Sequence, residues 1–318
     1  METVEGRNQS LIMEFILLGF GDAMELQPLL FLLFLLVYIG TLAGNTLITV
    51  LVVADPHLHT PMYFFVGNLA CLETLYSSTI LPRFLASLLS GDRTISVKNC
   101  LVQTYFFSII ASTENLLLAA MSYDRYLAIC NPLRYTALMN GRVCCQLVAG
   151  SWLYSFLVVG VLNSFLFPLT FCESKEIDHY FCDFSPMIKL SCYDPQLLKL
   201  ATLIICAIGT VVPLLLTLAS YVCIISTILR IPSSIGRKKA FSTCSSHLMV
   251  VTIIYISLII VYVFPSSNTS TVLNKVFSLF YTVLNPMINP IIYSLRNKEV
   301  KESLRKAIVK VVTFRNRP

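Results

Sequence analysis

Charge is what this chain has least of. Asp, Glu, Lys and Arg make up 13% of its 318 residues, against about 25% in an ordinary soluble domain. Hydrophobic residues make up 56%, and the mean hydropathy is +0.76. A water-soluble globule of that composition would expose large apolar areas, which excludes a soluble enzyme. Disorder is excluded because the chain is too apolar, and a small disulfide-stapled scaffold because it is too long. Histidine is scarce, with four in all, and none stands at metal-ligand spacing beside His247. The twelve glycines form neither a P-loop nor a dinucleotide-binding pattern, and no nucleophile stands beside a base, so nothing points to covalent chemistry. An integral membrane protein remains.

Crossing ~30 Å of hydrocarbon takes about 20 apolar residues in a helix. Seven stretches qualify: 28–54, 61–89, 99–130, 143–167, 197–229, 240–264 and 273–293. They are solidly apolar, without the alternation of barrel strands, so the expected fold is an all-α seven-transmembrane helical bundle. This divides the chain into an amino-terminal tail (1–27), a transmembrane domain (28–293) and a carboxyl-terminal segment (294–318). In that last segment, residues 298–314 can form a short amphipathic helix on the membrane surface.

Orientation follows from the basic residues. With the amino terminus outside the cell, fifteen of the 23 lysines and arginines lie on cytoplasmic segments or at their membrane edges, as the positive-inside rule requires. The net charge of +6 is therefore a topology signal, not a sign of nucleic-acid binding. The basic carboxyl terminus suits anionic lipid headgroups or, equally, a solvated tail. The first apolar run is too long for the short core of a signal peptide, and is expected to serve as the insertion signal of a multi-pass cell-membrane protein. Asn8-Gln9-Ser10 is a glycosylation sequon on the outer tail, and Asn268-Thr269-Ser270 is a second one close to the membrane. Of eleven cysteines, four fall on outer segments where disulfides form: Cys100, Cys172, Cys182 and Cys192. They allow three pairings. If all four pair, one bridge reaches Cys100 from the second outer loop; otherwise one pair forms beside free thiols.

Particular strings carry a resemblance. Met121-Ser122-Tyr123-Asp124-Arg125-Tyr126-Leu127-Ala128-Ile129-Cys130 closes the third span, and Pro61-Met62-Tyr63-Phe64-Phe65 opens the second. Lys239-Ala240-Phe241-Ser242-Thr243-Cys244-Ser245-Ser246-His247-Leu248 enters the sixth, and Asn289-Pro290-Ile291-Ile292-Tyr293 closes the seventh. In this order they closely resemble the signatures of vertebrate olfactory receptors, a branch of the rhodopsin-like G-protein-coupled receptors. The likeness runs from Gly44-Asn45 to Arg296-Asn297-Lys298-Glu299-Val300. It implies an odorant receptor, not an enzyme, that binds a small volatile molecule and activates a heterotrimeric stimulatory G protein to raise cyclic AMP. It also implies disulfides from Cys100 to Cys182 and from Cys172 to Cys192.

The residues themselves agree with this reading. An Asp124-Arg125 pair at the lipid–water boundary is costly without partners, so the acid is expected to hold the guanidinium at rest. Once released, Arg125 can extend toward the G protein or toward Tyr221 and Tyr293. Tyr126, His247, Asn289 and Pro290 complete the expected switch, with His247 as a hydrogen-bonded or packing residue. The bland alternative is an interfacial arginine with no switching role. Glu73 and Glu114 lie mid-membrane, where a lone charge is expensive. Near Asn45 and Asn289 they can share a proton or bind a cation such as sodium through hard oxygen ligands; otherwise they are protonated acids in a buried network.

The outer half gives the ligand chemistry. Phe107, Ser108, Ala111 and Ser112 on the third span are expected to face Ile205, Cys206 and Gly209 on the fifth. Tyr255, Ile259 and Tyr262 on the sixth and Leu279 and Thr282 on the seventh complete that pocket. Related amine receptors carry an acid near the level of Phe107, so the aromatic ring here disfavours a cationic ligand. The pocket is mostly apolar with a few hydroxyls, and for each residue the alternative is ordinary interhelical packing. Two departures from the family stand out. Ile254-Tyr255-Ile256 replaces a Phe-Tyr-Gly string, and a β-branched residue there is expected to stiffen the turn and fill the pocket floor. No cysteine for a palmitate anchor follows Tyr293. A receptor for a lipid or metabolite outside the nose is the nearest rival. A transporter or channel would call for inverted repeats and a polar midplane path, and neither is visible.

Overall fold

Prolines open the first two long helices, where a missing N–H costs nothing. Helix α1 (Gln27–Ala54) has Pro28 in its first turn, and α2 (Pro61–Ser90) starts on Pro61 and stops at Gly91. The φ of Gly91 is +71°, a left-handed closure that favours glycine. The computed structural model describes residues 12–21, 26–171, 174–192, 196–263, 271–296 and 298–315. Ser96 caps α3 (Val97–Cys130) by accepting the Asn99 N–H at 3.2 Å. After the single turn α4 (Tyr135–Leu138), Asn140 caps α5 (Gly141–Leu166) by accepting the Val143 N–H at 3.1 Å. There follow α6 (Phe184–Lys189), α7 (Gln196–Leu229), α8 (Ser234–Leu258), α9 (Thr271–Leu279), α10 (Asn285–Arg296) and α11 (Lys298–Arg315).

Helices α1, α2, α3, α5 and the Leu200–Leu229 stretch of α7 are each long and apolar enough to cross a membrane. The sixth span is α8 running on into a π-helical turn, Ile259–Val263. Its apolar stretch, His247–Val261, is shorter because the entering turns carry Arg237, Lys238 and Lys239. The seventh span is α9, a second π turn at Phe280–Leu284, and α10. Both interruptions lie in stretches the sequence reads as unbroken helix, and such π turns recur at functional sites.

Helix α3 is the hub, packed against α2, α5, α7 and α8, while α10 returns to α1 and α2. At the α1–α10 crossing a Cβ on Gly44 would come within 3.1 Å of the Pro290 ring, so glycine lets the two helices meet without pushing that ring back. At one end of the bundle the expected tail contributes a strand. Strand β1 (Glu14–Leu17) lies between β2 (Thr94–Ser96), antiparallel with Phe15 opposite Ile95, and β3 (Glu176–Ile177), parallel. Beneath this sheet Phe15, Leu101, Phe171, Ile177 and Met187 form a separate apolar cluster. The Phe15 and Phe171 rings meet edge to face at 5.1 Å. This β cap closes one end of the bundle, and Arg125 lies toward the other.

Candidate functional site

The cap end is built around a disulfide. Cys100, in the first turn of α3, is bonded to Cys182 with the Cα atoms 5.4 Å apart. Cys192 is also disulfide-bonded, and its expected partner Cys172 lies outside the described residues. The bridge holds the preceding residues, His179, Tyr180 and Phe181, inside the mouth of the bundle, where all three are buried. The Phe181 ring packs on Phe107 at 4.9 Å. The Tyr180 hydroxyl meets the Thr282 hydroxyl at 2.7 Å, and Thr282 donates to the Ser278 carbonyl. Gln103 accepts the Cys182 N–H at 3.0 Å. His179 Nε2 lies 3.3 Å from the Ser278 hydroxyl, and Asp178 pairs with the buried Lys275 of α9. Burial, reinforced by Lys275 and opposed by Asp178, pushes the His179 imidazole down to about 3, so it is neutral at physiological pH.

Under this plug the expected pocket residues sort by their surroundings. Phe107 is buried between Phe181, Tyr76 and Tyr281. Ser108, Ala111, Ile205, Gly209, Ile259 and Leu279 are half-buried. Tyr255 is buried, with its hydroxyl turned to Thr217 of α7. Three positions depart from expectation. Ser112 accepts the Ser155 hydroxyl at 2.9 Å, so its oxygen ties α3 to α5. Cys206 is exposed, and the face of α7 turned inward runs through Gly209, Pro213, Thr217 and Tyr221. Ile256 does not fill the pocket floor; it is 52% exposed, because the helical phase that buries Tyr255 turns the next side chain outward. The side chains of Tyr262 and Tyr293, and Asn8 and Asn268, lie outside the described residues.

Midway down, Glu73 and Glu114 are brought together by an asparagine the sequence reading missed. Asn285 donates to Glu114 at 2.9 Å and to Glu73 at 3.4 Å, and Asn289 donates to Glu73. Asn45 is close by but bonds the Thr41 and Pro286 carbonyls instead. The signal for Asn285 was in the sequence: Asn285-Pro286 precedes Asn289-Pro290 by four residues, which puts both amides on one helix face. The Glu73 and Glu114 carboxyls are within hydrogen-bond reach of each other, and Asn285 Oδ1 and Asn289 Oδ1 are buried with no partner among the described residues.

At the far end Arg125 Nε donates to Asp124 at 3.0 Å, with a second bond from the same guanidinium. Asp124 is also held by the Tyr135 hydroxyl at 2.7 Å, a partner only the turn after Pro132 supplies. Burial and the Asp124 carboxylate push the Tyr135 hydroxyl up from its ordinary value. Tyr221 meets His247 Nδ1 at 2.7 Å. Tyr126 packs on Tyr221, Ile224 and Cys244. Tyr63, at the start of α2, donates to Glu299 of α11 at 2.8 Å.

An aromatic plug over a buried mouth, a polar node in mid-bundle and a clasped arginine at the far end define a helical membrane receptor. Residues 34–311 match the family model described as olfactory receptor. Olfactory receptor 10A5 of Homo sapiens is 47% identical over 97% of this chain and 98% of its own length. Olfactory receptor 10A2 of Homo sapiens is 48% identical over 92% and 96%, and olfactory receptor 5M5 of Mus musculus 46% identical over 95% of each. The chain belongs to the olfactory receptor family, and with it to the multi-pass membrane receptors that are not enzymes.

Proposed function

We propose that the chain is an odorant receptor that takes a small, mostly apolar volatile ligand into the cap-end half of the bundle and signals through a stimulatory G protein to cyclic AMP. The ligand sits among Phe107, Tyr255 and Thr282, under Tyr180 and Phe181. The observation that carries this reading is the buried aromatic mouth under the disulfide-held plug, where the Tyr180 and Thr282 hydroxyls meet beside Phe107, Phe181 and Tyr281. A few hydroxyls in an apolar, aromatic setting suit a small ligand with one hydrogen-bonding group. The disulfides of the cap belong to an oxidising compartment, which supports an amino terminus outside the cell and a cytoplasmic Arg125 end.

Arg125 is the switch residue. Clasped by Asp124, itself steadied by Tyr135, the guanidinium is withdrawn from the cytoplasmic surface; opening of α8 frees it for the G protein. The π turns at Ile259–Val263 and Phe280–Leu284 place backbone irregularities beside the ligand, where α8 and α10 are most able to adjust. Glu73, Glu114 and Asn289, with Asn285 added, hold a proton or a sodium ion. Two adjoining carboxyls suit a shared proton, and with the two buried amide oxygens beside them they also suit a hard cation. When bound, the cation neutralises the carboxylates and ties α2, α3 and α10 together in the resting state.

The test is cyclic AMP accumulation in cells displaying the chain, screened against a broad odorant panel. Ligand-dependent rises that disappear in Arg125→Ala support the proposal. A silent panel at confirmed surface display refutes the odorant reading and favours a lipid or metabolite ligand.

A further inference from the structure

Strand β1 reaches the plug itself. It runs parallel to β3 with Leu17 opposite Ile177, and the hydrogen bonding continues past the ends of both strands. The Leu18 N–H donates to the Ile177 carbonyl at 3.0 Å, and the Gly19 N–H to the His179 carbonyl at 3.1 Å. The turn that follows carries Phe20, whose ring stacks on Tyr180 with centroids 5.4 Å apart and planes 17° off parallel. Phe84 of α2 meets the same tyrosine at 5.5 Å, and Phe34 of α1 packs on Phe20 at 6.4 Å and on Phe84 at 4.9 Å. On its other side the segment is fixed to the rim of the bundle. Arg93, just before β2, donates to the Gly21 carbonyl at 3.0 Å and accepts the Leu17 N–H at 3.0 Å, while Phe15 pairs with Ile95 of β2. Since β2 leads directly into α3, one short segment ties the wall of the bundle to the loop that covers it.

We propose that residues 14–20 are a strap that holds the plug over the bundle mouth and sets how fast a ligand passes in and out, with Phe20 as the positioning residue that acts through Tyr180. This rests on the reading that places the ligand under Tyr180 and Phe181. The Tyr180 side chain is held at both ends, its ring against Phe20 and Phe84 and its hydroxyl on Thr282 at 2.7 Å. A ligand passes only when that side chain swings clear, which breaks the Thr282 bond and parts the ring from Phe20. The strap contacts therefore belong to the barrier for opening, as in other lids. Because the strap lies outside the ligand's place, it favours the closed plug whether the mouth is empty or filled. Loosening it speeds entry and exit together and leaves affinity nearly unchanged.

The experiment uses the purified full chain in lipid nanodiscs and needs no odorant. Hydrogen–deuterium exchange reads opening of the plug peptide, residues 176–182. Passage through the mouth is read with methyl methanethiosulfonate, a small neutral thiol reagent, as its rate of reaction at Ala111→Cys, followed by peptide mass spectrometry. Phe20→Ala should raise both rates about fivefold, the scale of losing one aromatic pair, while exchange in α5 stays as in the parent chain. Phe20→Tyr keeps the ring and should leave both rates at the parent values. Should Phe20→Ala not fold, Arg93→Gln loosens the strap from the rim and makes the same test. Rates unchanged in these variants, an equal rise in α5, or Phe20→Tyr behaving as Phe20→Ala overturns the proposal. Both rates are read without ligand or G protein, so their failure is distinct from failure of the receptor reading, which a silent odorant panel reports.

Discussion

Acidifying the cap side from pH 7.5 to pH 5 should loosen the plug, through His179. Its folded-state value is lowered from 6.5 to about 3, so the native cap favours the neutral imidazole. A histidine depressed in the folded state contributes stability that is whole above its unfolded value and is lost as pH falls below it. The window therefore opens near pH 6.5 and closes near pH 3. At pH 5 the linkage relation with these two values gives a loss of about 2 kcal/mol. The groups facing His179 are Lys275, whose charge opposes protonation, and Asp178, whose charge favours it. Their pairing keeps the net effect small beside burial. The assay is thermal unfolding of the purified chain at both pH values, compared with His179→Gln. Wild type should lose about 4 °C more than the variant. Parallel losses in the two proteins would refute the buried, neutral histidine.

Cys182→Ser opens a bridge spanning 82 residues, worth about 4.5 kcal/mol in the loop-entropy model, and should abolish surface display, read by antibody staining of intact cells. Asn285→Leu keeps the branched outline but strips Glu114 of its amide donor at 2.9 Å; a cost of about 1–3 kcal/mol should appear as a lower midpoint in thermal unfolding, and an unchanged midpoint would remove Asn285 from the node. Tyr180→Phe deletes the bond to Thr282, worth about 1 kcal/mol; ligand dissociation from the bundle should quicken several-fold in a washout assay while the maximal response stays.

The spans were legible in the sequence because membrane insertion imposes one dominant constraint, a run of apolar residues. Helices α1, α2, α3 and α7 begin and end within about two residues of the lengths read from hydrophobicity alone. The Cys100–Cys182 bridge was readable through family likeness. Other features depended on phase and tertiary contact, which composition does not report. Ile256 turned outward because burial of Tyr255 fixed the rotation of α8. Ser112 was claimed by Ser155 across the α3–α5 contact. Strand β1 arose in an apolar segment, residues 11–20, too short to span a membrane, because β2 and β3 offered it edges on both sides. The loop residues Tyr180 and Phe181 became the plug only because a neighbouring cysteine anchors them over Phe107.

Nucleotide exchange tests the central claim most directly. The purified chain in nanodiscs is mixed with a heterotrimeric stimulatory G protein and an odorant that passes the cell screen, and loading of the G protein with a labelled guanine nucleotide is timed. The account predicts acceleration by the odorant, lost in Arg125→Ala although the ligand still binds. An odorant that binds without accelerating exchange, or that accelerates it equally in Arg125→Ala, would contradict it.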